Sequence, residues 1–345
     1  MATLHIFNPE HDIALASNLS NFTSPHAGRQ LRHDLGYIPA LWASDGYVLV
    51  ENVEAAKTAF ARLMHCQFDR FVDKRMLSKL AIDHVEPWGW DLALRSFLLR
   101  YGVEAVPSEA EIAVIRDLSH RKHAARFLKM LQRKDTVGKA WRVNSLQDVL
   151  GLVVEHRHLV VKAPWSSSGR GVRFVDTGLD DYQIRWMQNV IERQGSLVVE
   201  MQNNRVKDFG MEFESDGKGH VRYLGLSLFH TQNGAYTGNL LAPEDEKMTI
   251  MTRYLPEGLL CGVREKICVQ LGKFYRDKYA GPFGVDMMIV RGPDQQHFLL
   301  NPCVEINLRR TMGHVALALS KQVPSDHVMQ IEYIDNTYKL RIKQT

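Results

Sequence analysis

Apolar and polar positions alternate in two rhythms along the first hundred residues. A short apolar run from Leu4 to Phe7 gives way to a polar loop and then to a stretch of helical spacing from His26 to Leu35. Strand-like pieces at Tyr37 to Ala43 and Tyr47 to Val50 interleave with helix-like pieces at Val53 to His65 and Trp90 to Tyr101. Strands and helices in alternation predict a parallel α/β layer.

A different organisation begins near residue 117. Ala124, Phe127, Leu128 and Leu131 form an apolar stripe on an otherwise basic helix. A helix from Ser145 to His156 precedes strands at His158 to Ala163, Val172 to Val175 and Ser196 to Met201, with a helix from Asp180 to Gln194 between the last two. From residue 203 the strands lengthen, at His220 to Thr231, Gly281 to Val290 and His297 to Asn307, around a helix from Arg264 to Lys278. The pattern predicts three parts: residues 1–117 as α/β, 118–202 as a small α+β unit, and 203–345 as a second α+β unit. Gln330 to Thr345 is expected to be a peripheral strand or tail.

Composition narrows the class without deciding the function. The 345 residues are 45% hydrophobic and 24% charged, which excludes a disordered chain. No apolar run approaches the roughly 18 residues of a membrane span, and the first dozen residues turn polar too early for a secretory leader. A cytoplasmic protein with no membrane partner is expected. Cys66, Cys261, Cys268 and Cys303 show no CxxC spacing, so reduced thiols are expected. A net charge of +4 suits an anionic small substrate as well as a polynucleotide. The most basic stretch, Arg116 to Arg142, lacks interleaved aromatic residues beyond Phe127 and Trp141, so no nucleic-acid partner is expected.

Two constellations carry candidate chemistry. In Val160-Val161-Lys162-Ala163-Pro164-Trp165-Ser166-Ser167-Ser168-Gly169-Arg170-Gly171, an apolar strand delivers one lysine and then small residues whose backbone can approach an anion. The loop is neither a Walker A motif nor a dinucleotide fingerprint. Further on, Asp286 is followed one strand later by Glu305-Ile306-Asn307-Leu308-Arg309. Period-two alternation places Glu305, Asn307 and Arg309 on one face. Asp286, Glu305 and Asn307 offer the hard oxygen atoms that magnesium prefers. Pro302 marks a bulge or a sheet edge. A weaker third piece is the strand ending Glu200-Met201-Gln202, with Asp208 shortly after.

In this order the pieces resemble the ATP-grasp superfamily over roughly residues 116 to 320, and the Gly284-Val285-Asp286 and ExNxR pair is similar to that of biotin carboxylase and other carboxylate-amine ligases. The resemblance implies two α+β subdomains that bind ATP behind an N-terminal α/β domain. It implies that Lys162 contacts the phosphates and that Ser166, Ser167, Ser168, Gly169 and Gly171 belong to the loop covering them. Glu200 with the backbone of Met201 and Gln202 would form the adenine hinge, and Asp208 would stand near the ribose. Asp286, Glu305 and Asn307 match Mg2+ ligands, and Arg309 matches an arginine that stabilises the transferred group. An earlier phosphate-binding lysine is best matched by Lys122, although Arg121 stands beside it and either can take the role.

What the resemblance implies chemically is an ADP-forming ligase joining a small-molecule carboxylate to an amine, or another nucleophile, through an acyl phosphate. A phosphotransferase on the same scaffold and a nucleotide-binding regulator without turnover remain as alternatives. For the acceptor, the loop Glu10, His11, Asp12 follows the first strand at the end where open α/β sheets place ligands. His230, Tyr236 and Asn239 fall where relatives line the acceptor pocket. Oligomeric state is not legible.

Overall fold

The computed structural model describes residues 2–344 except 167, 168, 233 and 234. The chain divides into two compact units, the first made of residues 1–116, 237–243 and 309–345 and the second of 117–236 and 244–308. Among the described residues no helix is long and apolar enough to cross a membrane.

The first unit is built on a four-stranded parallel sheet in which Thr3–Ile6 lies between Tyr47–Leu49 and His84–Pro87, with Phe71–Val72 outermost. Leu4, Ile6, Val72, Val85, Leu94 and Leu98 form its core. Asn52 and Asp91 start the helices Val53–Met64 and Leu92–Arg100 by accepting from Ala55 N and Leu94 N. The expected strand at Tyr37 to Ala43 is instead a 3-10 turn, Ile38–Leu41, because Pro39 has no N–H to give a ladder. The chain's last strands, His327–Ile334 and Thr337–Gln344, pair antiparallel and belong to this unit, as does the helix Met312–Leu319. Residues 309–345 therefore stand apart from the 203–345 block that the sequence pattern suggests.

The second unit holds two antiparallel four-stranded sheets. In the smaller, Leu197–Met201 lies between Ala140–Val143 and Leu159–Lys162, and Val172–Val175 closes the edge. The helices Leu146–His156 and Asp181–Gln194 begin with capping boxes at Ser145 and Asp180 and share a core of Val149, Val153, Val161, Met187 and Val199. In the larger sheet Ala280–Arg291 pairs with Arg205–Asp216 on one side and Phe298–Asn307 on the other. Phe213 stacks on Phe283 with ring centroids 5.2 Å apart, and Tyr275 of the helix Glu257–Tyr275 meets Phe283 edge-on. The single strand expected over His220 to Thr231 is two, Val221–Ser227 and Phe229–Gln232, with a register shift between Tyr223 and Gly225.

The helix Lys122–Leu131 packs its apolar stripe against both the strand Phe298–Asn307 and the strand Ala140–Val143. Its N-terminus therefore meets residues from both sheets.

Candidate active site

Register on the edge strand puts the two expected acidic ligands face to face: Asp286 pairs directly with Glu305, and Gly284 with Asn307. A shift between Asp286 and Met288 absorbs Pro302, so the proline marks both a bulge and an edge. Asn307 Nδ2 donates to Asp286 Oδ2 at 3.0 Å. Period-two alternation stops there, because the strand ends at Asn307. Arg309 lies beyond it, in the first unit, where its guanidinium clasps Asp12 with Nη2 at 2.7 Å and Nε at 3.1 Å from the carboxylate. The expectation that Arg309 shares the face of Glu305 and Asn307 is thus corrected.

Lys162 ends its strand buried, with Nζ 2.7 Å from Glu200 Oε2. The two are diagonal neighbours, since Val160 is opposite Glu200 and Lys162 opposite Val198. The hinge amides are engaged within the fold: Met201 N donates to Lys139 O at 3.0 Å and Gln202 N to His158 O at 3.1 Å. Both N–H groups are thus met within the fold. Asp208 accepts from Arg205 at 3.0 Å, and burial raises its carboxyl, with Arg205 and then Lys162 among the charges opposing that.

The loop after Lys162 folds back on itself, with Ala163 N donating to Gly171 O at 2.8 Å. A side chain at Gly171 would overlap Ser166, and Gly169 takes φ +70°. Trp165 fixes its base, edge-on to His120 at 4.8 Å. Ser167 and Ser168 lie outside the described residues.

Of the two candidates for the earlier cation, Arg121 faces the sheet junction and Lys122 does not. Lys122 turns to Asp117. Arg121 caps the helix, nearly buried, with Nη2 2.6 Å from Glu305 Oε1 and Nη1 2.6 Å from both Ala163 O and Ser166 Oγ. The choice is geometric: adjacent helical side chains point about 100° apart, so only one of the pair faces the sheet junction.

Cys303 is buried two residues before Glu305 on the same strand. Burial pushes its thiol up, and the charges that act on it in turn are Glu200, Asp286, Lys162 and Glu305. Nothing in the cysteine spacing reveals this position. Glu212 was also missed: it is 2% exposed, on the face opposite Phe209, Met211 and Phe213, and its Oε1 and Asp286 Oδ1 both lie 3.5 Å from where a Gly210 Cβ would stand. Among the described residues no group of three or more His, Cys, Asp or Glu is arranged to hold a metal. The expected set is of another kind, two carboxylates and an amide, whose hard oxygens suit magnesium. That Glu305 already takes a guanidinium shows an environment calling for positive charge.

The acceptor candidates are dispersed. Glu10 lines a cavity in the first unit, His11 is buried with Nδ1 3.6 Å from Asp91 and its ring against Gly89, and Asp12 holds Arg309. Burial lowers His230, with Lys207 acting in the same direction, and burial raises the Tyr236 hydroxyl. Asn239 is fully buried on the strand that pairs with His327–Ile334, opposite Met329.

Among solved structures, the biotin carboxylase from Campylobacter jejuni, in a β-γ-ATP complex, matches with a TM-score of 0.57 at 13% identity, covering 97% of this chain and 76% of that one. The N5-carboxyaminoimidazole synthetase from Staphylococcus aureus, complexed with ADP, matches with a TM-score of 0.51 at 12% identity, covering 97% and 83%. At these identities the likeness is one of architecture, and the architecture is the ATP-grasp fold. No family model matches the sequence, and no curated protein matches it.

Proposed function

We propose that the protein is an ADP-forming ligase that joins a small-molecule carboxylate to an amine at the expense of ATP, with Mg2+ held by Asp286, Glu305 and Asn307. The observation that carries this reading is Arg121, whose guanidinium joins Glu305, the register partner of Asp286, to the loop that follows Lys162. Two acids and an amide on adjacent strands give a magnesium site, and a buried lysine under a small-residue loop gives a phosphate site.

When bound, magnesium supplies charge that stabilises the transferring phosphoryl group. Lys162 is the phosphate cation, oriented by Glu200 and shielded from water, so its charge acts at full strength on the developing negative charge. Arg121 positions the covering loop through Ser166. A carboxylate oxygen of the substrate forms a bond to the γ-phosphorus as the bond to the β-bridging oxygen breaks, releasing ADP. The amine nitrogen then attacks the acyl carbon, phosphate leaves, and the nitrogen loses a proton. No protein nucleophile is needed. A cytoplasmic setting fits the four free cysteines.

Product analysis tests this reading. Incubation with Mg-ATP and pooled carboxylates and amines should give ADP and phosphate only when both classes are present. A phosphorylated metabolite as the end product would reassign the protein as a phosphotransferase, and AMP with pyrophosphate would exclude the acyl-phosphate route.

A further inference from the structure

The first unit contains a cavity of about 840 Å³ that the nucleotide chemistry does not use. It opens at the carboxyl ends of the parallel strands, where Phe7, Val50 and Asp73 follow their strands, the position at which open α/β sheets hold ligands. Ile6, Leu49, Leu94 and Phe97 give it an apolar floor. The volume is within the usual range of small-molecule sites.

Its charges are unbalanced. Arg32 is committed to Glu10 and Glu51, Arg75 to Asp73, and Asp91 to capping a helix through Leu94 N. Arg29, Lys74 and Arg100 line the same cavity, and none of them has a carboxylate partner among the described residues. Two buried polar atoms also lack hydrogen-bond partners, Glu10 Oε2 and Ser24 Oγ, on residues 8% and 4% exposed. Leaving such atoms unmet is costly unless something else meets them. Both residues are held close together, since a Cβ at Gly28 would stand 3.6 Å from Glu10 Cβ and 3.8 Å from Ser24 Oγ.

We propose that this cavity binds a small organic anion carrying an amine, with the amine on Glu10 Oε2 and Ser24 Oγ and the anionic group toward Arg29, Lys74 and Arg100. An ammonium donor satisfies both orphan atoms and adds to the positive charge that Arg32 already brings to Glu10. Three unpaired cations satisfy a carboxylate or a phosphate. Its role as the amine partner of ligation rests on the ligase reading, whereas binding itself does not.

Calorimetric titration of the full-length protein without nucleotide tests it, with L-glutamate, L-aspartate and O-phospho-L-serine as probes and glutarate and succinate as amine-free controls. Saturable binding of at least one amino acid is expected, about tenfold or more tighter than that of the amine-free controls. Preference for phosphoserine over glutamate would assign the anionic end to phosphate, and the reverse to carboxylate. Ser24→Ala should fold normally, since it removes a hydroxyl that has no partner, yet weaken binding by about tenfold or more. Arg100→Ala should weaken it through the other end of the ligand. No saturable binding of any probe up to about 10 mM, or binding indifferent to both variants, overturns the proposal. Mg-ATP titrated into the same sample separates the two readings: probe binding without ATP binding sinks the ligase, and ATP binding without probe binding sinks the cavity.

Discussion

Arg121 Nη2 lies 2.6 Å from Glu305 Oε1, so a protein cation rests on a carboxylate proposed to hold magnesium. The same guanidinium holds Ser166 Oγ and Ala163 O, which tie it to the loop proposed to cover phosphates. A metal bound at Glu305 would compete with Arg121 and loosen the guanidinium that fixes the loop, which would couple site occupancy to loop position through one side chain.

Arg121→Ala should increase proteolytic nicking of the 166–171 loop in the nucleotide-free protein by about tenfold, because the loop's opening free energy falls by about 1–2 kcal/mol for the lost charged hydrogen bonds. Arg121→Lys should restore it only partly, since an ammonium cannot reproduce the fork that spans Glu305 and Ser166. Mass-spectrometric mapping of early cleavage products measures this. Unchanged nicking in Arg121→Ala would separate the loop from the metal site.

Lys162 and Glu200 form a pair whose side chains are only 9% and 13% exposed. Removing one charge strands the other, so Lys162→Met should destabilise the fold by about 3 kcal/mol or more. Lys162→Met with Glu200→Leu should recover most of that stability, because both charges leave together, while nucleotide affinity stays reduced by about tenfold or more. Urea unfolding with parallel nucleotide titration checks both halves. Recovery of affinity in the double variant would show that Lys162 does not contact phosphate.

Gly171→Ala places a methyl group into Ser166, so the 163–172 loop must open to accept it. Global stability should fall by about 1–3 kcal/mol, since the overlap presses on Ser166 beside buried Ala163, while protection of the loop by Mg-ATP against protease should disappear. Full protection in the variant would show that closure does not depend on the Gly171 turn.

The parts of the fold that read clearly from sequence are those whose periodicity is clean. The helix Asp181–Gln194, with its Asp180 capping box, and the strand Val172–Val175 fall where the pattern puts them. The strand Arg205–Asp216 was not read although Phe209, Met211 and Phe213 alternate with Gly210, Glu212 and Glu214, because the alternation covers only half of its length and the polar start Arg205 to Asp208 resembles a loop. Lys162, Asp286, Glu305 and Asn307 were legible because rigid strands hold them. The choice of Arg121 over Lys122 depends on helix phase against a distant strand, which a local pattern does not encode.

His120 offers a stability test across pH. Burial first, then Lys122, Arg142 and His123, hold its imidazole down at about 3, and Nε2 lies 3.0 Å from Ser196 Oγ. Since the unfolded chain titrates near 6.5 and the folded one near 3, the unfolded state binds the extra proton between these values. Stability present above pH 6.5 should therefore fall as pH drops toward 3, by up to about 1.4 kcal/mol per unit from this group. His120→Gln should flatten that part of the urea-unfolding profile between about pH 6 and 4. A profile equally steep in the variant would assign the acid sensitivity to other groups.

The most direct test of the central claim is calorimetric titration of ATP, with and without Mg2+, into the wild-type protein and Glu305→Gln. That substitution keeps size and removes one anionic ligand. Wild type should bind ATP markedly more tightly with magnesium than without it. Glu305→Gln should bind metal-free ATP like wild type, lose about tenfold or more of the magnesium enhancement, and turn over about a hundredfold more slowly. If the folded variant keeps the full magnesium enhancement and normal turnover, Asp286, Glu305 and Asn307 are not the metal site and the ligase reading fails.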